Sequence, residues 1–359
     1  MTPARSPVGA SGAAPGDAAG ADPLVAVRAL RVQFPVTRGM FGSPVRWVRA
    51  VDGVSFTVSR GETLALVGES GCGKTTTGRA LLRLIPATSG DVSFDGIDVR
   101  ALRAEPLRRL RRRMQLVFQD PYSSLNPRRT VGDTVREGLR VHQLADGADA
   151  DVRVRRILDE VGLRPEFAHR YPYELSGGQR QRVGIARALV IEPEFLVCDE
   201  PVSALDVSVQ AQIINLLQDL QRDHHLTYLY IAHDLAVVAQ VASRIAVMYF
   251  GRIVEVGPAP AVLRDPRMPY TRALLASVLV PDPTLRRAHA VLGGESPSPS
   301  APPSGCVFHP RCPDPRKDSA CTQIVPPLEE KDAGRFAACI KEPVRVARTT
   351  SSPSPFPPI

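Results

Sequence analysis

The chain has 359 residues, 43% hydrophobic and 23% charged, which suits one large or two modest globular domains and excludes a fibrous or wholly disordered polymer. Its formal net charge of +8 is carried almost entirely by arginine, because only Lys74, Lys317, Lys331 and Lys341 are lysines. No segment approaches the roughly 20 apolar residues of a membrane-spanning helix, and no secretory apolar region opens the chain, so it is expected to stay in the cytosol and to reach a membrane only through a partner.

Residues 1–23 are mostly Ala, Gly, Pro and Ser and cannot bury enough surface to offset ordering entropy. They are expected to be disordered, as are residues 346–359. Leu24–Phe34 and Val51–Val58 alternate apolar and polar side chains, the strand period. Thr63–Val67 is a short apolar strand that runs into a glycine-rich loop, and Thr75–Leu84 follows as a helix. Over residues 120–174, Val131, Val135 and Leu139 recur at helical spacing, as do Val154, Ile157, Leu158 and Val161. This predicts a helical subdomain inserted between halves of an α/β core. Strands are predicted again at Phe195–Cys198, Thr227–Ala232 and Arg244–Tyr249. The strand–loop–helix order implies a mostly parallel sheet.

Past Gly257 prolines accumulate and the sheet period fades. Ser296–Ser304 is a Pro/Ser linker, and the element after it carries four of the six cysteines. The expected organisation is therefore an α/β domain at 24–257, an extension at 258–345, and a tail at each end. The basic run Arg108–Arg113 has no aromatic stacking platform beside it. It reads as a solvated face, and nucleic acid is not expected as a partner.

Three segments carry chemistry. Gly68-Glu69-Ser70-Gly71-Cys72-Gly73-Lys74-Thr75, followed by Thr76, is a complete P-loop pattern between a strand and a helix. Its glycines let backbone N–H groups curl around phosphates at a helix N-terminus. Lys74 is placed for the β- and γ-phosphates and Thr75 for Mg²⁺. Phe195–Glu200 is an apolar strand ending in two acids. There Asp199 fits a Mg²⁺-holding carboxylate and Glu200 a group that polarises the attacking water. Leu175-Ser176-Gly177-Gly178-Gln179 precedes a predicted helix at Arg180–Ile191 and forms a second anion-binding helix start, facing a γ-phosphate other than that of its own P-loop.

With these motifs the chain resembles the nucleotide-binding subunits of ABC transporters, and the resemblance spans about residues 24–345. It implies a P-loop NTPase core, with ATP and Mg²⁺ clamped between two cassettes that are identical or related. It implies that Gln119 contacts Mg²⁺ and water, that Ser203–Asp206 crosses to the other subunit, and that His233 contacts the γ-phosphate. Trp47 is the candidate for stacking on adenine, although it lies two positions beyond the expected register. Phe34-Pro35-Val36, Ala50–Phe56, Asp120–Pro127 and Pro269–Leu275 narrow the resemblance to the oligopeptide, dipeptide and nickel importer branch. Met268 stands where that branch usually has histidine. The branch implies two transmembrane permease subunits and an extracytoplasmic binding protein as partners, and a position at the cytoplasmic face of the membrane. An exporter ATPase, or a cassette acting on nucleic acid, is the alternative.

Cys306, Cys312, Cys321 and Cys339 form the second point of chemistry. A cytosolic setting disfavours disulfides. Four thiolates suit Zn²⁺ or an iron–sulfur cluster, although the spacing lacks paired C-x2-C. Similar tails in dipeptide-importer ATPases imply a [4Fe–4S] cluster. Unliganded thiols, and His309 as a substitute ligand, are the other readings. Cys72 and Cys198 lie inside the core motifs and read as inert.

Overall fold

The computed structural model describes residues 22–37, 44–277, 297, 298 and 301–344. Residues 1–21 and 346–359 of the tails expected to be disordered, and Ser296, Pro299 and Ser300 of the Pro/Ser linker, lie outside the described residues.

The chain opens with β1 (Val25–Thr37) and β2 (Pro44–Val58), an antiparallel pair with several register shifts. β2 begins earlier than the alternation predicts and includes Trp47. β3 (Thr63–Val67) is buried along its whole length and feeds α1 (Lys74–Leu81) through the glycine loop. Then come β4 (Ser89–Phe94), β5 (Ile97–Asp98), α2 (Ala104–Arg113) and β6 (Met114–Val117). The helical region follows as α3 (Pro121–Ser124), α4 (Val131–Val141), α5 (Gly147–Glu160) and α6 (Gly177–Leu189). The remaining core elements are β7 (Phe195–Asp199), α7 (Val207–His224), β8 (Thr227–Ala232), α8 (Leu235–Val241), β9 (Arg244–Tyr249) and β10 (Arg252–Pro258). The C-terminal extension supplies α9 (Ala259–Arg264), α10 (Pro269–Ala276), α11 (Ala320–Gln323), β11 (Glu329–Asp332) and β12 (Arg335–Ala337).

Two sheets result. Strands β2-β1-β4-β5 form an antiparallel sheet, and β11-β12-β10-β9-β3-β8-β7-β6 form a larger mixed one. The central strands of the larger sheet are parallel and in register at their C-terminal ends, with Val67 opposite Ala232, Asp199 opposite Ile231 and Val117 opposite Cys198. One edge of the sheet therefore carries the loops after β3, β6, β7 and β8. In an open α/β sheet that edge is where ligands bind. On one face the sheet packs with α1 against the antiparallel sheet, through Leu64, Leu66, Leu81, Phe56, Phe94, Val197 and Ile231. On the other face it packs against the helical region and α7, through Val135, Leu139, Val154, Leu158, Ile185 and Leu217.

Two sequence expectations are revised. The sheet does not end near Gly257, because β12 pairs with β10 and β11 with β12. These strands are short, and Glu329-Glu330-Lys331-Asp332 is wholly charged, so neither shows the alternation of a half-buried strand. The arginine run lies on α2 but is more than a solvated face. Arg111 donates to the carbonyls of Leu82 and Arg83 at the end of α1. Arg113 pairs with Glu194 and Asp95 and lies over the Phe94 ring.

A buried carboxylate fastens the extension to the core. Glu255, 1% exposed on β10, accepts the N–H groups of Arg267 (2.7 Å) and Met268 (2.9 Å), just before α10. Burial pushes its carboxyl up against these hydrogen bonds. Arg267, also buried, pairs with Asp332 on β11 at 2.8 Å. Met268 is 1% exposed, which explains an apolar residue at that position.

Candidate functional site

The loop after β3 folds back on itself as a P-loop requires. Lys74 is 4% exposed, and its ammonium donates to the carbonyls of Gly68 (2.7 Å) and Glu69 (3.0 Å). Gly73 adopts φ 109°, and a Cβ there would stand 2.1 Å from the Ala50 carbonyl of β2. A Cβ on Gly68 would stand 2.1 Å from the Met248 carbonyl. The loop is thus wedged between β2 and β9, and only glycine fits at these two points. Ser70 and Gly71 are exposed at the outer turn, and Thr76 is half-buried in α1. Cys72 is buried, and desolvation raises its thiol pKa.

The other strand ends bring their side chains to the same place. Thr75 Oγ1 donates to Asp199 Oδ1 at 2.8 Å. Asp199 is 1% exposed, and its Oδ2 accepts no hydrogen bond, while the nearest cation, Arg79, stands 4.0 Å away. Desolvation raises this carboxyl above the ordinary range, against the Thr75 hydrogen bond and the Arg79 charge. An orphaned anionic oxygen beside a hydroxyl is the donor chemistry Mg²⁺ takes, so these residues fit the ion. Glu200 gathers the remaining groups. Its Oε2 accepts from Gln119 Nε2 (3.1 Å) and faces His233 Nδ1 (3.2 Å), while Lys74 Nζ lies 3.9 Å from Oε1. Glu200 holds φ 45°, a left-handed conformation that costs about 1–2 kcal/mol in a non-glycine residue. Lys74, Thr75, Asp199, Glu200, Gln119 and His233 therefore form one constellation.

Ser176–Gln179 is a second helix start. Ser176 Oγ accepts the Gln179 N–H, and Gln179 Oε1 accepts the Ser176 N–H at 2.9 Å, a capping box on α6. That leaves the amides of Gly177 and Gly178, which have no intrahelical acceptor, for an anion. Both glycines allow close packing on the segment beyond Glu200. A Cβ on Gly178 would lie 2.5 Å from Val209 Cγ1, and one on Gly177 would lie 3.4 Å from Leu205 Cδ2. Trp47 is 51% exposed on β2, the strand whose Ala50 carbonyl walls the P-loop.

Comparison with known proteins decides the family. The model described as ABC transporter matches residues 51–203, and the model described as oligopeptide/dipeptide transporter, C-terminal region, matches residues 254–321. The probable peptide ABC transporter ATP-binding protein y4tS of Sinorhizobium fredii is 51% identical over 92% of this chain and 94% of its own length.

This chain belongs to the ABC transporter ATP-binding proteins.

The oligopeptide transport ATP-binding protein AppF of Bacillus subtilis is 47% identical over 90% of this ABC protein and 98% of its own length. Among solved structures, the dimeric ATP-binding cassette MJ0796, bound to ADP and Pi, is 28% identical with a TM-score of 0.59. It matches 66% of this chain and 98% of that one. The fold is that of an ABC cassette, and the family's reaction is ATP hydrolysis.

The four C-terminal cysteines line one enclosed pocket of about 20 Å³, together with Phe308, His309 and Asp314. The Cys306 N–H donates to the Cys321 carbonyl at 2.9 Å. Burial pushes the Cys306 thiol up to about 11 and also raises those of Cys312 and Cys339. Among the described residues, no three His, Cys, Asp or Glu side chains are grouped to hold a metal ion. The donor set suits a cluster, but a cavity with room for about one water does not fit one as these side chains stand. His309 Nδ1 faces the Cys306 carbonyl at 2.9 Å.

Sequence reasoning missed two residues at the site. Tyr270 and Arg311, both in the extension, touch Glu69 of the P-loop across 201 and 242 positions of sequence. No local pattern signals contacts at that separation.

Proposed function

We propose that this ABC protein is the ATP-hydrolysing subunit of an importer for peptides, working as one of two cassettes beneath a transmembrane permease. The single observation that carries the reading is the constellation around Glu200, with which the Ser176–Gln179 helix start shares no hydrogen bond among the described residues. A site built this way lacks its γ-phosphate cap until a second cassette supplies one. The relatives named as peptide or oligopeptide ATP-binding proteins support the substrate class and the direction of transport. An extension matching the oligopeptide/dipeptide transporter C-terminal region favours this over an exporter or a nucleic-acid ATPase.

In this reading Lys74 and the Gly68–Thr75 amides hold the triphosphate, with Trp47 against the base. Thr75, Asp199 and Gln119 would hold Mg²⁺, which would supply positive charge against that developing on the phosphoryl oxygens. Glu200 accepts the proton of the attacking water, with Gln119 and His233 fixing its carboxylate. His233 then turns to the γ-phosphate. Binding energy of the shared nucleotide closes the cassette pair, and hydrolysis releases it. A groove of about 280 Å³ lies between α4, α6 and β6, with Phe118 in its wall and Leu84 and Val141 half-exposed at its rim. It is our proposed seat for a permease helix, next in sequence to Gln119. Among the described residues no helix is long and apolar enough to cross a membrane, so attachment at the cytoplasmic face is proposed to run through this groove.

A [4Fe–4S] cluster on Cys306, Cys312, Cys321 and Cys339 is a further proposal. Four thiols on one pocket support it, and the pocket's small volume stands against it. Anaerobic treatment with iron and sulfide, followed by an absorbance spectrum, tests it. A visible charge-transfer band lost in Cys306→Ser supports the cluster, and its absence rules the cluster out. For the importer reading, co-purification with the permease subunits and ATP-dependent peptide uptake in vesicles is the test. Uptake unaffected by deletion of this subunit would overturn it.

A further inference from the structure

The cysteine-bearing extension reaches the nucleotide loop directly. Glu69 follows Gly68 at the first bend of the P-loop, and its carbonyl is one of the two that hold Lys74. The Glu69 backbone N–H donates to Tyr270 Oη at 2.9 Å. Its carboxylate is gripped by Arg311 through two parallel bonds, 2.8 Å to Oε2 and 3.0 Å to Oε1. Neither partner is a surface group: Tyr270 is fully buried, and the Arg311 side chain is 7% exposed. Tyr249, Tyr270 and Phe308 pack as one ring cluster, with centroids 4.5 and 5.3 Å apart, behind this contact. Arg311 lies between Phe308 and Cys312, and its N–H donates to the Phe308 carbonyl at 3.1 Å. The Arg311 backbone, from which the guanidinium reaches Glu69, is thus anchored in the segment that carries Cys306 and Cys312.

We infer that Arg311 and Tyr270 are positioning residues for the ATP site. They fix the first bend of the P-loop through Glu69, so that its amides and Lys74 are preset for the phosphates. A bidentate guanidinium–carboxylate pair, its guanidinium buried and its carboxylate side chain 28% exposed, resists rotation of the loop more than a single ion pair does. With it the extension sets nucleotide affinity without touching the nucleotide. This inference rests on the reading of Gly68–Thr75 as the nucleotide loop.

The test uses the full chain, with Mg–ATP affinity read by titration, KM and kcat by phosphate release, and thermal unfolding alongside. Arg311→Ala should weaken ATP binding by about 10-fold or more, the loss of one charged bidentate contact, with kcat at saturating ATP nearly unchanged. Arg311→Lys, which keeps the charge without the fork, should recover part of that loss. Glu69→Ala combined with Arg311→Ala should be no weaker than Arg311→Ala alone. Arg316→Ala, an exposed change in the same extension, should leave affinity as it was. If Arg311→Ala does not fold, Tyr270→Phe, which removes one oxygen, should raise KM several-fold by itself. Affinity within two-fold of the parent in a folded Arg311→Ala or Tyr270→Phe protein would overturn the inference, as would fully additive losses in the double variant. Lys74→Ala keeps the two ideas apart: if it also leaves ATP binding intact, the nucleotide-loop reading itself has failed.

Discussion

Replacing Glu200 with Gln alters one atom and removes one charge, which makes it the sharpest probe of the hydrolytic step. The amide is isosteric, and its oxygen can still accept from Gln119 Nε2, so the 3.1 Å contact survives. The variant loses the ability to take a proton from water. General-base catalysis is worth about 10²–10⁴-fold, and kcat should fall by that factor. Binding should move the other way. Lys74 lies 3.9 Å from the Glu200 carboxylate, which is 13% exposed and competes with phosphate for the ammonium. Two unit charges at that distance interact by about 4 kcal/mol at an effective dielectric of 20, an upper bound for what the competition removes from ATP affinity. ATP affinity should therefore be equal or tighter. Phosphate release under single turnover, with nucleotide binding measured in parallel, separates the two effects. Hydrolysis within three-fold of the parent would refute the base assignment. ATP binding lost together with hydrolysis would refute the account of Lys74.

Other substitutions follow from the same geometry. Asp199→Asn should stop hydrolysis yet raise the metal-free melting temperature by about 1–3 °C, because it replaces a desolvated carboxylate having an orphan oxygen; the expected gain is about 1–2 kcal/mol. The sign follows from the raised carboxyl: its cost is absent below the unfolded pKa near 3.8 and is felt in full once pH exceeds the higher folded value. The stabilisation should accordingly vanish in acid, and a melting temperature lowered at neutral pH would contradict it. Gly178→Val should displace the helix start from Val209 and abolish ATP-driven pairing of cassettes while nucleotide binding to the single chain persists; pairing at parental ATP concentrations would count against the role of that helix start. Glu255→Ala strands two buried N–H groups, and the expected loss of about 2–4 kcal/mol should appear as early proteolysis of the extension, whereas unchanged proteolysis would contradict its fastening role.

Much of the fold and site can be read from local pattern. The buried strand before Gly68, the acids after Phe195–Cys198 and the helix start at Ser176 each depend on neighbours in sequence, so propensity and spacing expose them. The strand register then does the rest by bringing Val67, Asp199 and Ala232 to one edge. What stays hidden depends on distant or unpatterned chain. β11 is a charged edge strand with no alternation, and Glu255 looks like an ordinary strand acid until its burial is seen. The left-handed turn at Glu200 and the grip of Arg311 on Glu69 arise only from tertiary packing.

The central claim is that the constellation around Glu200 is completed by a facing Ser176–Gln179 helix start. Sedimentation of the Glu200→Gln protein, alone and with its permease and companion cassette, tests it most directly. With Mg–ATP the cassettes should pair, and adding Ser176→Arg to both should leave them apart with nucleotide still bound. Saturation with ATP and no change in association state in either setting would contradict the account.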